Sequence, residues 1–326
     1  MQANFQGFLN NIFAKKMIFS TCIIFSFCSG LVSAEASQMP KRLNQQIIKE
    51  KLSFSTGFNF SQSDYYVDGT AVDETTDINS LSFRVKYGRG DWNVSAQIPY
   101  IYVTGPASVL TTDDGLSDDF NISQVDKKRW GFGNLRLGAQ YKFPVIKLRS
   151  NQLGSNIPFS FIGKYFDSVG FHIGTSIKAP TASEKDQLSS GEIDYSVYSG
   201  TFLRSGRWVA NARLGYQMMG DTKETNYNNR WFSSFGGYYV LSKVHSIGLS
   251  YFFKQASAGS REPLRNLSTS FNWRLPRGWR LGMYLGTGLS RSSADISSGI
   301  NITKTFVRKR RQPVNAELLQ EKEQVK

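Results

Sequence analysis

The sequence predicts an all-β protein: an antiparallel transmembrane β-barrel of about twelve strands, with short periplasmic turns and long extracellular loops. Three observations lead there. Segments of about 9 to 11 residues alternate apolar with small or polar side chains, the length and period of tilted spanning strands. The connections between them are by turns short and long. The 326 residues are 14% aromatic and 20% charged, with a mean hydropathy of −0.34, a mixture too aromatic for a disordered chain and too polar for a helical membrane protein.

The N-terminus comes first. Met17 to Val32 is a long apolar run preceded by Lys15 and Lys16 and followed by the small-residue triplets Val32-Ser33-Ala34 and Ala34-Glu35-Ala36. It reads as a signal peptide over 1–36, followed by a short periplasmic segment at 37–50. Cys22 and Cys28, the 2 cysteines of the chain, both lie inside it. The exported product therefore carries no thiol, disulfide or Cys-based metal site. The expected location is the outer membrane of a Gram-negative cell. The formal charge of +14 would ordinarily suggest nucleic acid, but an exported barrel meets little of it. The expected partners are outer-membrane lipid and lipopolysaccharide, the barrel assembly machinery during insertion, and a small solute. No cofactor, metal or nucleic acid is expected.

The barrel is placed at 51–306. Leu52, Phe54, Thr56, Phe58 and Phe60 alternate with Ser53, Ser55, Gly57 and Asn59, which marks a half-buried strand. Leu81 to Tyr87 and Trp92 to Tyr100 repeat the pattern across the turn Gly88-Arg89-Gly90-Asp91. The same reading gives Leu135 to Phe143, Phe171 to Ala179, Ile193 to Leu203, Trp208 to Met218, Trp231 to Leu241, His245 to Phe253, Leu267 to Leu275, Trp279 to Leu289 and Ile296 to Phe306. Ser61 to Asn79, Val103 to Gly133, Pro180 to Glu192, Met219 to Arg230 and Lys254 to Asn266 are the long loops. Pro144 to Val169 breaks the pattern; it either extends the following strand or forms an inserted hairpin. A charged periplasmic tail occupies 307–326, where Asn315 could cap a short helix.

One face of these strands is small and polar, as in Ser246, Gly248 and Ser250, or Asn301, Thr303 and Thr305. A sandwich would need a second sheet to cover the aromatic face, whereas a barrel turns that face to lipid. Trp92, Tyr100, Tyr141, Trp208, Trp231, Tyr239, Trp273 and Trp279 then form the interfacial girdles. Charge fixes the register independently. Arg84, Lys86, Arg136, Lys178, Arg213, Arg274 and Arg280 share the inward phase with one acid, Asp194. A slip by one residue would put each cation in lipid, at about 2 to 4 kcal/mol near the midplane. Lys304 is outward but close to a strand end, where it can snorkel.

Several short runs resemble a known family. Tyr87-Gly88-Arg89-Gly90-Asp91-Trp92, Ile98-Pro99-Tyr100 and Thr104-Gly105-Pro106 are similar to its YG-xx-DW, PY and TGP pattern. Gly131-Phe132-Gly133-Asn134 resembles its GxGD strand with Asn134 in place of Asp. Lys178-Ala179-Pro180-Thr181-Ala182 with Gly191-Glu192-Ile193-Asp194-Tyr195 resembles KLPTA … GTGxxDY, and Ser290 to Gly299 resembles its closing hairpin. The family is that of the outer-membrane barrels named for the MetA pathway of phenol degradation. The resemblance implies a barrel and a transport role and supplies no catalytic residues.

The function expected is a passive channel or uptake transporter for a small molecule, aromatic or phenolic as the resemblance implies, or anionic because the inward cations Arg84, Lys86, Arg136, Lys178, Arg213, Arg274 and Arg280 outnumber the inward acid Asp194. Against an open anionic path stands the pairing of these cations with loop carboxylates such as Asp113, Asp114, Asp118 and Asp119. The alternative is a structural or adhesive barrel, whose acidic first loop (Asp64, Asp68, Asp73, Glu74, Asp77) would hold divalent cations. An enzyme is disfavoured: His172 and His245, the 2 histidines present, both sit at the turn ends of strands, far from the loops where such sites are built.

Overall fold

The structure, a computed structural model, describes residues 45–67, 70–105, 128–148, 165–182, 188–189, 191–220, 227–256 and 262–313. Fourteen strand segments follow in order: β1 (Gln45–Val67), β2 (Thr70–Arg89), β3 (Trp92–Thr104), β4 (Lys128–Phe132), β5 (Leu135–Lys142), β6 (Ile146–Lys147), β7 (Ser168–Ala179), β8 (Asp194–Ser205), β9 (Trp208–Met218), β10 (Arg230–Val240), β11 (His245–Lys254), β12 (Leu264–Arg274), β13 (Trp279–Gly288) and β14 (Ile296–Pro313). Pairing runs antiparallel between sequence neighbours, and β1 lies between β2 and β14, so the sheet closes. β4 and β5 are halves of one stave, both paired to β3, and β6 continues the antiparallel ladder of β5 against the first residues of β7. The result is a closed antiparallel barrel of 12 strands.

The barrel body is Ile48–Arg310. The chain ends make a second unit, of which Gln45–Ile47 and Arg311–Pro313 are described, both as strand. At the seam of the body, Ser53 and Thr305 share a hydroxyl hydrogen bond of 3.0 Å and Ser55 and Thr303 one of 2.9 Å on the inner face. Phe54 and Phe306 meet edge to face at 6.3 Å on the outer face.

The outer face carries large apolar side chains that no protein covers: Trp208 is 64% exposed, Leu285 59% and Phe235 55%. Transfer of each such side chain to hydrocarbon is worth about 1.5–3 kcal/mol, so this band requires a bilayer. Among the described residues no helix is long and apolar enough to cross a membrane. The aromatic girdle is built from cross-strand partners: Trp92 with Tyr141 at 4.9 Å and Trp208 with Tyr239 at 4.7 Å near the short turns, and Tyr216 with Trp231 at 4.8 Å near the loops. Lys304 snorkels as expected, its Nζ donating to the Arg277 carbonyl at 2.8 Å and lying over the Trp279 and Phe306 rings.

The structure changes four expectations. Ser61 to Asn79 is no loop: β1 and β2 stay paired up to Val67 and Thr70, with one register shift at Asp64/Tyr65. These residues stand above the lipid band, where neither face needs to be apolar, so hydrophobic alternation fades while backbone pairing persists. Val103 to Gly133 is shortened by β4, whose outward Trp130 and Phe132 alternate with Arg129 and Gly131. The inward face is also not uniformly small and polar. Near the loops Ile78, Ile101 and Val103 point inward and are buried together with Ala182 and Leu188 from the β7–β8 connection and Ala294 from the β13–β14 connection. At the other end, β14 continues to Pro313, beyond the expected end at Phe306, with Arg308 and Lys309 exposed. In Pro144 to Val169, the two residues of β6 pair with Val169 and Ser168. The signal peptide, the acids Asp68, Asp113, Asp114, Asp118 and Asp119, and the helix after Asn315 lie outside the described residues.

Candidate functional site: a cationic lumen

Because the barrel is sheared, residues paired from strand to strand form rows that climb toward the loops. One row reads Ser55, Arg84, Gln97, Arg136, Lys178, Asp194. Four of the inward charges expected from sequence thus belong to one line of direct partners. The next row reads Lys86, Ser95, Gly138, Ser176, Ser196, Gln217, Arg230. A lower row holds Lys142, His172, Gly200 and Arg213. The opposite wall continues with small residues, Gly236, Ser250, Ser268, Gly286 and Ser297. The lumen therefore has a cationic side and a small-residue side.

A cavity of about 370 Å³ lies against the cationic side, lined by Arg84, Lys86, Arg136 and Arg213 with Asn93, Ser95, Gln97, Gln140, Tyr198 and Lys254 among others. Among the described residues no carboxylate lines it. Arg84 is oriented by Gln97, whose Oε1 accepts from both Nε and an Nη of the guanidinium. Arg213 lies over the Tyr198 ring at 4.1 Å and the Phe232 ring at 5.3 Å.

Lys178 and Asp194 share the inward phase but stand apart from this cavity. Lys178 Nζ meets Asp194 Oδ2 at 2.6 Å, with side-chain exposures of 7% and 1%. Gln217 Nε2 donates to Asp194 Oδ2 at 3.2 Å, the Gly220 N–H donates to Oδ1 at 3.2 Å, and Arg230 Nε donates to Gln217 Oε1 at 3.3 Å. This is a buried polar network at the loop end of β7–β10. Arg274 and Arg280 are direct partners at the opposite, turn end, both exposed. There Arg274 borders a second cavity of about 380 Å³ with Arg204, Arg207 and Lys243.

Sequence reasoning passed over four cations. Lys142 shares the parity of Arg136 and could have been read from it. Arg230 and Lys254 flank the expected strand limits Trp231 and Phe253, and Arg129 fell in a segment read as loop; all three are buried and engaged with neighbours. The two histidines lie on different faces. His172 points inward beside Tyr198 at 6.1 Å, whereas His245 stacks on Phe271 at 5.7 Å and shares a 3.2 Å hydrogen bond with Ser242. Among the described residues no group of three or more His, Cys, Asp or Glu is placed to hold a metal.

No protein-family model matches the chain, and no curated protein matches it. Solved structures do. The COG4313 outer membrane channel from Pseudomonas putida F1 is similar with a TM-score of 0.58 at 15% identity, over 83% of this chain and 100% of that one. The KdgM porin in complex with disordered oligogalacturonate gives 0.42 at 10% identity, over 78% and 99%. The deltaS2 mutant of the TodX monoaromatic hydrocarbon channel gives 0.37 at 10% identity, over 82% and 90%. At these identities the first likeness speaks to the fold, a closed outer-membrane-type barrel.

Proposed function

We propose that the protein is a passive outer-membrane channel for small solutes that favours anions, and that it belongs with the barrels named for the MetA pathway of phenol degradation. The observation that carries the reading is the cavity on the cationic side of the lumen: Arg84, Lys86, Arg136 and Arg213 face it together, and among the described residues no acid does. In a narrow passage walled by protein these charges are weakly screened and set the sign of the permeating ion. The outward apolar band and its girdles support insertion in a bilayer, with lipid and lipopolysaccharide as neighbours and assembly machinery as the insertion partner. The motif runs at Tyr87 to Trp92, Gly131 to Asn134 and Lys178 to Ala182 support the family. The test is single-channel recording of the purified protein in planar bilayers under a KCl gradient. A reversal potential on the chloride side is expected; one on the potassium side would overturn the anion preference, and a barrel that never conducts would favour a structural role.

A further inference from the structure

We propose that Arg213 is the anchor of a saturable oxyanion-binding site in the lumen, one that takes a small dianion, a dicarboxylate or an inorganic phosphate, so that passage proceeds through a bound state. The proposal rests on the anion-favouring reading above and adds to it a discrete site.

The argument begins with what holds the guanidinium. Arg213 is half-buried with its Nε withdrawn from solvent, and an arginine so placed is ordinarily fixed by a carboxylate, which cancels its charge. Arg213 is instead placed by two aromatic faces, Tyr198 at 4.1 Å and Phe232 at 5.3 Å. Cation–π contact positions the group and leaves its charge and its planar fork of donors uncancelled. No acceptor engages its Nε among the described residues.

The two rings are themselves fixed. Tyr198 is the direct partner of Gly174 and of Gly215, and Gly215 is the direct partner of Phe232. A Cβ on Gly174 would stand 2.4 Å from the Tyr198 ring, and one on Gly215 would stand 2.1 Å from Phe232. Each aromatic ring therefore occupies space that a side chain at the facing glycine would fill. Such a clamp holds the arginine in place before any ligand arrives, which lowers the ordering cost of binding.

The ligand class follows from what shares the cavity. Arg84 and Lys86 line the same space, so one negative charge bound at Arg213 would leave further cations facing it. A dianion with oxygens at both ends matches a fork on β9 and the two cations on β2. The volume of about 370 Å³ lies near the small end of ligand pockets.

The test is isothermal titration of the detergent-solubilised barrel with succinate, with inorganic phosphate and with uncharged butane-1,4-diol, on wild type, Arg213→Lys and Arg274→Lys, each first checked for heat-modifiable migration. One-site binding of succinate or phosphate is expected, with none for the diol, and the two anion arms identify which oxyanion is preferred. Arg213→Lys keeps the charge but loses the planar fork, so affinity should fall at least about tenfold, while Arg274→Lys at the turn end leaves it unchanged. Reversal potentials measured on the same preparations separate the two readings. A chloride-selective wild type that binds neither anion saturably would overturn the site and leave the anion-favouring channel standing; a potassium-selective wild type would overturn the anion preference on which the site rests. Equal binding by Arg213→Lys and wild type, or equal loss in Arg274→Lys, would show that Arg213 is no anchor. Should Arg213→Lys fail to fold, Tyr198→Leu, which removes one face of the clamp, is expected to weaken binding instead, and unchanged affinity there would overturn the proposal.

Discussion

Lys178 and Asp194 are direct cross-strand partners on β7 and β8, joined Nζ to Oδ2 at 2.6 Å and withdrawn from solvent. A pair so buried is held as much by the polar groups around it as by its own attraction. Asp194 has two such partners besides Lys178, the Gln217 side chain and the Gly220 amide. Asp194→Asn removes the charge that compensates Lys178 and should destabilise the barrel by about 3–5 kcal/mol. The double variant Lys178→Met/Asp194→Leu removes both charges and should recover much of the loss. Urea titrations in lipid vesicles report both; equal stability of Asp194→Asn and wild type would show that the pair is not structurally engaged.

The mid-lumen cations make a separable prediction. Lys86→Ser and Arg136→Ser each remove a charge from the wall of the cavity and should move the reversal potential toward potassium. Arg280→Ser, exposed at the turn end, should move it less, because bulk salt screens exposed charges beyond about 8 Å at 0.15 M ionic strength. Raising KCl to about 1 M, where the screening length is about 3 Å, should abolish the Arg280 effect before the Lys86 effect. Equal shifts from all three positions would place the selective region outside the cavity.

The twelve staves and their register were legible because lipid on one side and water on the other impose period 2 with little tolerance, and Arg84, Lys86 and Arg136 could each be given a face from parity alone. The row that joins Arg84 to Arg136 could not, since it depends on shear, and shear is a property of closure. Leu188 was illegible for a related reason. It lies in a connection with no period, and its burial against Ile101 and Val103 exists only once β3 and β7 belong to one barrel. For Lys178 and Asp194 the sequence gives phase but not pairing, which only the register of β7 against β8 supplies.

Asn134 illustrates how two separate motif runs become one device. It is 2% exposed, at the break between β4 and β5, and its Oδ1 accepts from the Ala182 amide at 3.3 Å. Beside it Thr181 Oγ1 donates to the Gly133 carbonyl at 3.2 Å and accepts from the Leu135 amide at 2.8 Å. The position needs an acceptor, which explains how asparagine serves where the resembled pattern has aspartate. Asn134→Leu leaves a buried amide unpaired, at about 1–3 kcal/mol, and should loosen the start of the β7–β8 connection. Limited proteolysis of reconstituted vesicles should then cut that connection faster than in wild type, while Asn134→Asp, which keeps the acceptor, stays resistant. Equal resistance of Asn134→Leu would mean that Thr181 alone holds the hook.

The last prediction concerns closure. The first and last strands of a barrel have no tight turn to set their register, so side chains across the seam must set it. Here Ser53 with Thr305 and Ser55 with Thr303 do so inside, and Phe54 with Phe306 does so outside. Phe306 also lies under the Lys304 ammonium at 5.4 Å, so one ring both seals the seam and lets an outward cation stay near the interface. Phe306→Ser removes both contacts and should lower the amount of heat-modifiable barrel recovered from membranes. Truncation after Pro313 retains the whole of β14 and should assemble as wild type. Truncation after Phe306 deletes strand residues from Val307 onward and should fall between the two. Wild-type recovery of Phe306→Ser alongside loss on truncation after Pro313 would move the element that directs closure out of the seam and into the residues beyond it.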